Sequence, residues 1–305
     1  NTVIKNTAPV TVTIDIDTLA DDTINLVEST QVGISGTTRN VEDGATVEVV
    51  LTDSAGNELL FMTEVSADSW HLEAVDVMSL VDGAVTGVAN TVNSVGNSAQ
   101  ASEQVNKNVV ATLSIEFDVS NLLLNVEEVS DVVITGTVTD IEDNQVVALV
   151  VSDSAGNEVQ ASAQVISGQW QVSNLDLSAL IDGTLSINAS SVDIYQNTAN
   201  TFLPAVKDTQ ASISVTIDDD DLLINNAEQV AVSLFGDSNN IENGRPVAIV
   251  ITDANNDAFD FSSKIVSNTW SLEDINLSVL AEGAFTVAVS ATDLSGNKAV
   301  ALATA

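Results

Sequence analysis

Cysteine is absent from this sequence of 305 residues, and histidine occurs once. Without cysteine the chain can form neither a disulfide nor a thiolate metal site. We interpret the single histidine, His71, as a surface residue, because its neighbour Trp70 is expected to face a core. Serine is frequent, but no base accompanies it to activate its hydroxyl group. The sequence therefore predicts a protein that is not an enzyme.

Basic residues are also scarce: 7 Lys and Arg stand against 44 Asp and Glu, which gives a formal net charge of −37. Such a surface repels phosphate backbones and anionic lipids, so we expect neither nucleic acid nor a membrane surface as a partner. The apolar runs are short, and none approaches the roughly 20 residues of a membrane-spanning helix. Bound cations would relieve the repulsion between the carboxylates.

Hydrophobic residues nevertheless make up 45% of the chain, which is enough for packed cores. We therefore expect an ordered protein in spite of its charge. The opening residues, NTVIKNTAP, have the composition of a linker and carry no recognisable secretory signal. This start predicts that the chain is a segment of a longer protein.

An internal repeat governs the sequence, and its clearest markers are Trp70, Trp170 and Trp270, spaced one hundred residues apart. Six further sets of positions keep the same step: Gly36, Gly136 and Gly236; Glu42, Glu142 and Glu242; Asp53, Asp153 and Asp253; Leu80, Leu180 and Leu280; Gly83, Gly183 and Gly283; Asn97, Asn197 and Asn297. Such a period indicates three copies of one domain. We predict domains at residues 1–105, 106–206 and 207–305.

Within each copy apolar residues alternate with polar ones, the period of a β-strand with one face in a core. Seven strands are predicted in the first copy: Val10–Ile16, Gln31–Thr37, Thr46–Thr52, Glu58–Ser66, Ser69–Val75, Ala84–Thr91 and Ser98–Glu103. The segment at residues 76–83 is predicted to form a helical turn. This pattern predicts an all-β fold of three tandem immunoglobulin-like β-sandwiches. With domains of about 40 Å, the rod would be about 120 Å long.

One acidic segment recurs between the first and second strands of every copy. It reads DTLADDTINLVE at residues 17–28, DVSNLLLNVEE at 118–128 and DDDDLLINNAE at 218–228. Clustered carboxylates repel one another, and oxygen donors at short spacing suit Ca²⁺, which takes about 6 to 8 oxygen ligands. The alternative is a solvated acidic turn held by Asx-type hydrogen bonds. We predict a calcium site in each segment.

The predicted calcium ligands in these three segments are Asp17, Asp21, Asp22, Asn25 and Glu28; Asp118, Asn121, Asn125 and Glu128; and Asp218, Asp219, Asp221, Asn225 and Glu228. Alternating strand directions place each segment at the bottom of its domain, where it faces the top of the next domain. The junctions add Asp82, Asp143, Asp182, Asp193, Asp208 and Asp293 as candidate ligands. Similar sites repeated at domain ends are more typical of a structural role than of a cation-dependent hydrolase.

Several of these residues have a plainer interpretation. The turns that begin at Asp53, Asp153 and Asp253 have the composition of ordinary hairpin turns, which need no ligand. For the turns at Asp193 and Asp293, a plain turn and a calcium ligand remain equally open. The tryptophans could stack on sugars, but alternation places each on the same strand face as another apolar residue, which favours a core position.

Taken together, the tandem copies, the TIDDDDLLINNAEQ segment, the VEDG and IEDN segments, the single Trp and the closing DLSGN resemble the bacterial Ig-like repeats of giant non-fimbrial adhesins. These are type I secreted surface proteins of Gram-negative bacteria, and calcium-dependent biofilm and ice-binding adhesins are among them. The resemblance covers the whole chain. It implies a polypeptide that folds on meeting external calcium and holds an adhesive region away from the cell. Asn93, Asn121 and the DANND turn depart from the pattern.

The sequence therefore predicts an extracellular, monomeric stalk segment of a surface adhesin that mediates attachment to host cells or other surfaces. Its cofactor would be Ca²⁺, and its partners would be neighbouring Ig-like domains of the same polypeptide. Without Ca²⁺ the facing carboxylates would repel one another; with Ca²⁺ they would join adjacent domains. The alternative is a carbohydrate-binding module that contacts host glycans through exposed Trp residues or apical loops.

Overall fold

The computed structural model describes residues 5, 7–19, 21–118, 122–219 and 223–305. Asn121 and Asp221, two of the predicted calcium ligands, lie outside the described residues. The described part contains strands, turns and one short 3₁₀ helix at Glu28–Thr30, and no α-helix. No helix in this part is long and apolar enough to span a membrane. The prediction of an all-β fold is confirmed.

The described residues of the first copy contain nine strands. They are β1 Thr11–Val12, β2 Asp15–Ile16, β3 Thr23–Ile24, β4 Val32–Arg39, β5 Thr46–Asp53, β6 Glu58–Glu64, β7 Ser69–Val75, β8 Gly83–Val92 and β9 Ser98–Lys107. A smaller sheet pairs β4 with β1, β2 and β7, and a larger sheet has the order β3-β9-β8-β5-β6. Within these sheets β3 runs parallel to β9, whereas β1, β2 and β7 are antiparallel to β4.

The second copy repeats this arrangement. Its strands are β10 Thr112–Leu113, β11 Glu116–Phe117, β12 Leu123–Leu124, β13 Val132–Thr139, β14 Val146–Asp153, β15 Glu158–Gln164, β16 Gln169–Leu175, β17 Gly183–Val192 and β18 Thr198–Lys207. Here β13 pairs with β10, β11 and β16, while the larger sheet has the order β12-β18-β17-β14-β15.

The third copy keeps both sheets with eight strands in its described residues. They are β19 Ser212–Ile213, β20 Thr216–Ile217, β21 Val232–Asn239, β22 Pro246–Thr252, β23 Ala258–Lys264, β24 Thr269–Ile275, β25 Thr286–Thr292 and β26 Lys298–Thr304. β21 pairs with β19, β20 and β24, and the larger sheet has the order β23-β22-β25-β26.

The strands match the alternation of the sequence, and several details differ. The predicted first strand is divided into β1 and β2, which both pair with β4. The helical turn predicted at residues 76–83 is a single turn closed by Leu80 N donating to the Val77 carbonyl at 3.1 Å. β9 and β18 extend to Lys107 and Lys207, beyond the predicted ends of their domains. We therefore assign both lysines to the copies that precede them.

Each copy has its own hydrophobic core between its two sheets. The cores contain Trp70, Trp170 and Trp270, whose exposed fractions are 1%, 3% and 2%. The Trp170 indole N–H donates to the Ser114 carbonyl at 3.2 Å, and Trp270 makes the equivalent bond to Ser214 at 2.9 Å. The prediction that the tryptophans are core residues is confirmed.

A glycine lies opposite each tryptophan on the neighbouring strand, as Gly136 lies opposite Trp170. A Cβ atom on Gly136 would overlap the Ser114 carbonyl oxygen and lie 2.5 Å from Nε1 of Trp170. The repeated glycine therefore makes room for the indole ring and for the adjacent strand.

We expect Gly136→Ala to destabilise the second copy by about 1–3 kcal/mol or more, because the added methyl group overpacks a rigid core. Hydrogen exchange in urea of peptides from the copy that carries the substitution, read by mass spectrometry, measures this locally. Gly33→Ala is the matched control, since a Cβ there would meet its nearest neighbour, Cβ of Asp17, at an ordinary 3.6 Å. Equal stability of the two variants would contradict the packing argument.

Candidate functional site

The loops of each copy collect at two opposite ends. At one end Val81 N donates to Oδ2 of Asp53 at 2.9 Å, which joins two turns on either side of the sandwich. At the other end Ser94 N donates to Oε2 of Glu42 at 3.0 Å. The acidic segment belongs to the first end, where it contacts the following copy. The predicted placement of the loops is thereby confirmed.

The end of each acidic segment forms a reciprocal hydrogen-bonded turn. Oδ1 of Asn25 accepts bonds from the N–H groups of Val27 and Glu28, at 2.9 and 3.0 Å, while Oε2 of Glu28 accepts one from Asn25 N at 2.9 Å. This pattern is a capping box. The same bonds recur at Asn125 with Glu128 and at Asn225 with Glu228. At these positions the Asx-type alternative describes the structure, and their calcium role stays a prediction.

The start of the acidic segment is a crossover between the two sheets. Oδ1 of Asp17 accepts a bond from Leu19 N at 3.1 Å, and Oδ1 of Asp21 accepts one from Thr23 N at 2.9 Å. Asp21 thereby supports the start of β3, which pairs with the last strand of the same copy. The sequence interpretation missed β3, because a strand of two residues has no measurable alternation.

An asparagine amide makes the central contact of the first junction. Asn197, 2% exposed, accepts a bond on Oδ1 from Leu26 N of the first copy at 2.8 Å. Its Nδ2 donates to the carbonyl of the linker residue Asn108 at 2.9 Å and to Oδ2 of Asp193 at 2.7 Å. A single side chain therefore joins the first copy, the linker and the second copy.

The second junction repeats this contact. Oδ1 of Asn297 accepts a bond from Val126 N at 2.9 Å, and its Nδ2 donates to the Asp208 carbonyl at 2.8 Å and to Oδ2 of Asp293 at 2.7 Å. We call these two contacts the amide bridges. The sequence interpretation used Asn197 and Asn297 only as markers of the repeat and missed their role.

Asp193 and Asp293 position the amide bridges. Both are buried, at 2% and 1% exposure, and Oδ1 of each accepts the backbone N–H of its asparagine at 2.8 Å. Oδ2 accepts the side-chain amide, which fixes the orientation of the asparagine. Of the two open interpretations, the hydrogen bonds describe an ordinary turn that positions the amide; a calcium role for these carboxylates stays a prediction.

Lys107, which lies beyond the predicted end of the first domain, is buried at the end of β9. Its ammonium donates to the Leu80 carbonyl at 2.8 Å and to Oδ1 of Asp82 at 2.9 Å. In the second copy the ammonium of Lys207 bonds the Leu180 carbonyl and lies 3.7 Å from Oδ1 of Asp182. Asp82 and Asp182, both predicted as calcium ligands, therefore face a cation that belongs to their own copy.

The remaining candidates are spread along the surface. Asp22, Asp118, Asp143 and Asp218 are exposed, while the Asp208 carboxylate accepts the Ser295 hydroxyl at 3.0 Å in the second junction. Among the described residues no three acidic or histidine side chains are grouped closely enough to hold a metal ion. Four buried side-chain polar atoms lack a hydrogen-bond partner in the described part of the chain, and Oδ2 of Asp219 is the carboxylate oxygen among them.

The turns at Asp53, Asp153 and Asp253 are confirmed as ordinary hairpin turns. Asp153 accepts bonds from Ala155 N, Asn157 N and Asn157 Nδ2, and Ile181 N reaches its Oδ2 at 2.9 Å. These donors, that of Ile181 first, lower the pKa of Asp153 from 3.8 to about 2. The same arrangement lowers the pKa of Asp53 to about 2. The charged carboxylates therefore hold two turns together.

The residues most open to other chemistry, His71 and the three tryptophans, are accounted for by their positions. His71 is exposed on β7, as predicted. The buried indole rings present no face on which a sugar could stack. The tryptophan part of the carbohydrate-binding alternative is therefore wrong, whereas its apical loops stay a prediction.

No family model matches the chain, and no curated protein matches it. Among solved structures, a tetra-tandem repeat in the extending region of a large adhesion protein is 28% identical, with 97% of this chain and 74% of the other covered and a TM-score of 0.35. A Ca²⁺-stabilised adhesin that helps an Antarctic bacterium reach out and bind ice is 25% identical, with 97% and 72% covered and a TM-score of 0.40. A structure concerned with host cell surface retention of a 1.5-MDa bacterial ice-binding adhesin is 20% identical, with 98% of each chain covered and a TM-score of 0.44.

The lowered pKa of Asp153 predicts an acid-sensitive second copy. Because the folded pKa lies below the unfolded value, its contribution is complete above about pH 4 and is lost as the pH falls towards 2. Asp153→Asn should lower stability at pH 7 and flatten this pH dependence. Hydrogen exchange of second-copy peptides between pH 7 and pH 2, corrected for intrinsic rates, measures both effects. Asp131→Asn, at an exposed position, is the control and should leave the profile unchanged.

The amide bridge predicts a local weakness in the second junction. Asn297→Ala removes the acceptor for Val126 N and should speed exchange of that amide about tenfold, the equivalent of about 1.4 kcal/mol. Asn188→Ala, on the exposed face of β17, is the control. Unchanged exchange at Val126 in Asn297→Ala would show that the bridge contributes nothing to the junction.

Proposed function

We propose that the chain is a calcium-stiffened stalk segment of a giant bacterial surface adhesin, exported by a type I system to the cell surface. The observation that carries this proposal is the repetition of the amide bridge. At both junctions the last turn of one copy binds the end of the acidic segment in the copy before it. A contact that recurs from copy to copy extends a structure along one direction.

The junctions also fit a role in spacing. Their contacts come from loops and linkers at the ends of the sandwiches, so successive copies are joined end to end. The outer faces of the sheets take no part in these bonds. A chain built in this way gains reach with each added copy, which is the property that a stalk needs.

The charge of the chain supports the calcium part of the proposal. The chain has a formal net charge of −37, and two of its seven basic residues are buried inside their own copies. At the third acidic segment, Oδ2 of Asp219 is buried without a hydrogen-bond partner in the described residues. Asp219 itself is partly exposed, but leaving its buried oxygen unpaired costs free energy that a bound cation would offset.

In this proposal the acidic segments must close around the ion, because their carboxylates are not grouped for one among the described residues. The carboxylates concerned are Asp17, Asp21 and Asp22 in the first copy, Asp118 in the second, and Asp218 and Asp219 in the third. Bound Ca²⁺ supplies positive charge that neutralises neighbouring carboxylates. The protein contributes the frame, because the capping boxes and the amide bridges fix the loops from which these carboxylates project. Millimolar Ca²⁺ is an extracellular condition, which agrees with a cell-surface location.

Calcium should stabilise the third copy through Asp219. At 100 times its dissociation constant, a ligand that binds only the folded state adds about 2.7 kcal/mol to the free energy of unfolding. Asp219→Asn should remove most of this gain, whereas Asp237→Asn, at an exposed position on β21, should retain it. Urea unfolding of the third copy with Ca²⁺ and with EDTA, followed by hydrogen exchange, measures the difference.

Stiffening is a separate expectation with its own measurement. Small-angle X-ray scattering should give a longer maximum dimension and a narrower distance distribution with Ca²⁺ than with EDTA. Mg²⁺ at the same concentration controls for ionic screening. Identical distributions with Ca²⁺ and EDTA would refute calcium stiffening and leave the amide bridges and the other hydrogen bonds at the junctions as the source of order there.

A further inference from the structure

The outer faces of the larger sheets differ in charge from copy to copy. In the third copy this face carries Lys298 on β26 and Lys264 on β23. Beside them Nε of Arg245 donates to the Thr292 carbonyl at 2.6 Å. These three are the basic residues of the third copy, and in the described part of the chain none of them forms an ion pair. They make one end of this face positive on an otherwise acidic chain.

The first copy carries the opposite charge on its equivalent face. Glu58 and Glu64 lie on the outer face of β6, and Glu48 lies on that of the neighbouring β5. Glu64 has the position in the first copy that Lys264 has in the third, while the second copy has the neutral Gln164 there. The outer faces of the first and third copies are therefore complementary in charge.

Both faces also carry exposed apolar side chains. Leu60 and Met62 lie between the two glutamates of β6, and Val300 and Leu302 follow Lys298 on β26; each of the four is more than half exposed. The alternate residues of these strands pack into the cores, so these four side chains point away from their own copies. Exposed apolar side chains grouped on one face are typical of a surface that meets a partner.

The order of the strands determines how two such faces can meet. From one edge to the other, the larger sheet reads β6-β5-β8-β9 in the first copy and β23-β22-β25-β26 in the third. When two equivalent sheets face each other with their domains pointing the same way, the order of one is reversed, which places β6 against β26. The pairing within each sheet puts Lys298 at the same level as Lys264, and hence as Glu64. The facing pairs are then Glu64 with Lys298, Met62 with Val300, and Leu60 with Leu302.

Other pairings of these faces fit less well. Two third copies in the same arrangement would bring Lys264 of one molecule against Lys298 of the other, and like charges repel. Two first copies would set Leu60 and Met62 against polar side chains of β9. With the domains pointing in opposite ways, Met62 would face the carboxylate of Asp260 on β23. Only the parallel pairing of a first copy with a third copy matches both the charges and the apolar side chains.

We infer that the outer face of the third copy docks on the outer face of the first copy in another, parallel molecule of this protein. Each molecule carries one face of each kind, so the contact is heterologous and a pair of molecules can add further ones. Molecules joined in this way are displaced from one another by the length of two domains. The inference goes beyond the proposed stalk and does not rest on calcium.

The net negative charge of the chain opposes this contact and makes it weak. At physiological ionic strength the Debye length is about 8 Å, so the charges at the contact outweigh those farther away. Weak and reversible contacts are an established class of protein interface. Molecules at low concentration would therefore be the monomers that the sequence predicts, and association would follow from crowding them side by side.

Sedimentation equilibrium of the full chain in EDTA, at an ionic strength of about 0.15 M, tests the inference. The weight-average mass should rise with protein concentration. Glu64→Lys and Lys298→Glu should each raise the dissociation constant at least about tenfold, because an attractive pair becomes a repulsive one. A wild-type chain that stays monomeric throughout the concentration series, or variants that associate as the wild type does, would overturn the inference.

Glu158→Lys is the matched control. It changes the net charge by the same amount as Glu64→Lys, but it lies on the exposed face of β15 in the second copy, outside the proposed contact. It should leave the dissociation constant unchanged. An equal effect of the two substitutions would assign the association to net charge alone and would overturn the docking surface.

An equimolar mixture of the Glu64→Lys and Lys298→Glu chains tests the register. Each variant alone brings like charges together, whereas in the mixture the unchanged Glu64 of one chain meets the unchanged Lys298 of the other. The mixture should therefore associate about as tightly as the wild type, which would also show that both variants are folded. A mixture that associates no better than its components would overturn the pairing of these two residues.

Discussion

Two acidic ends must meet at each junction of this chain, and a neutral amide makes the contact between them. The choice of asparagine has a physical basis. A carboxylate at residue 197 or 297 could accept a bond from the preceding copy, but it could not donate to the linker. An amide does both, and it adds no charge to a chain whose formal net charge is already −37. The rest of the junction, including the buried Asp193 and Asp293, orients that amide.

The few basic side chains also have specific positions. Lys107 and Lys207 end the last strands of their copies, each beside an aspartate and a carbonyl. Their burial leaves the surface more acidic than the composition suggests. Any ion that joins two copies must therefore come from solution, which makes the stiffness of the proposed stalk depend on the medium.

Most of the fold could be predicted from the sequence, because in long strands with one buried face apolar and polar residues alternate with a period of two. The predicted Ser69–Val75 coincides with β7, and other strands differ by a few residues at their ends. The site was harder to predict. Capping turns and cation-binding loops are rich in the same residues, Asp and Asn. The sequence pattern alone therefore could not separate these two roles at Asn25 and Glu28. The bridging role of Asn197 depends on the preceding copy, which no local pattern encodes.

The parallel pairing of β3 with β9 has a mechanical consequence. A load pulling on both ends of a copy enters near β1 and leaves after Lys107, so it acts along the final strand. Sliding β9 out of the larger sheet requires the bonds to β3 and β8 to break together in shear, since both neighbours lie alongside it. By contrast, a load that opened a hairpin from its end would break the hydrogen bonds one at a time. Lys107, which is anchored at the end of β9, then resists the first movement of that strand. Such resistance suits a tether, such as the proposed stalk, that is held under flow.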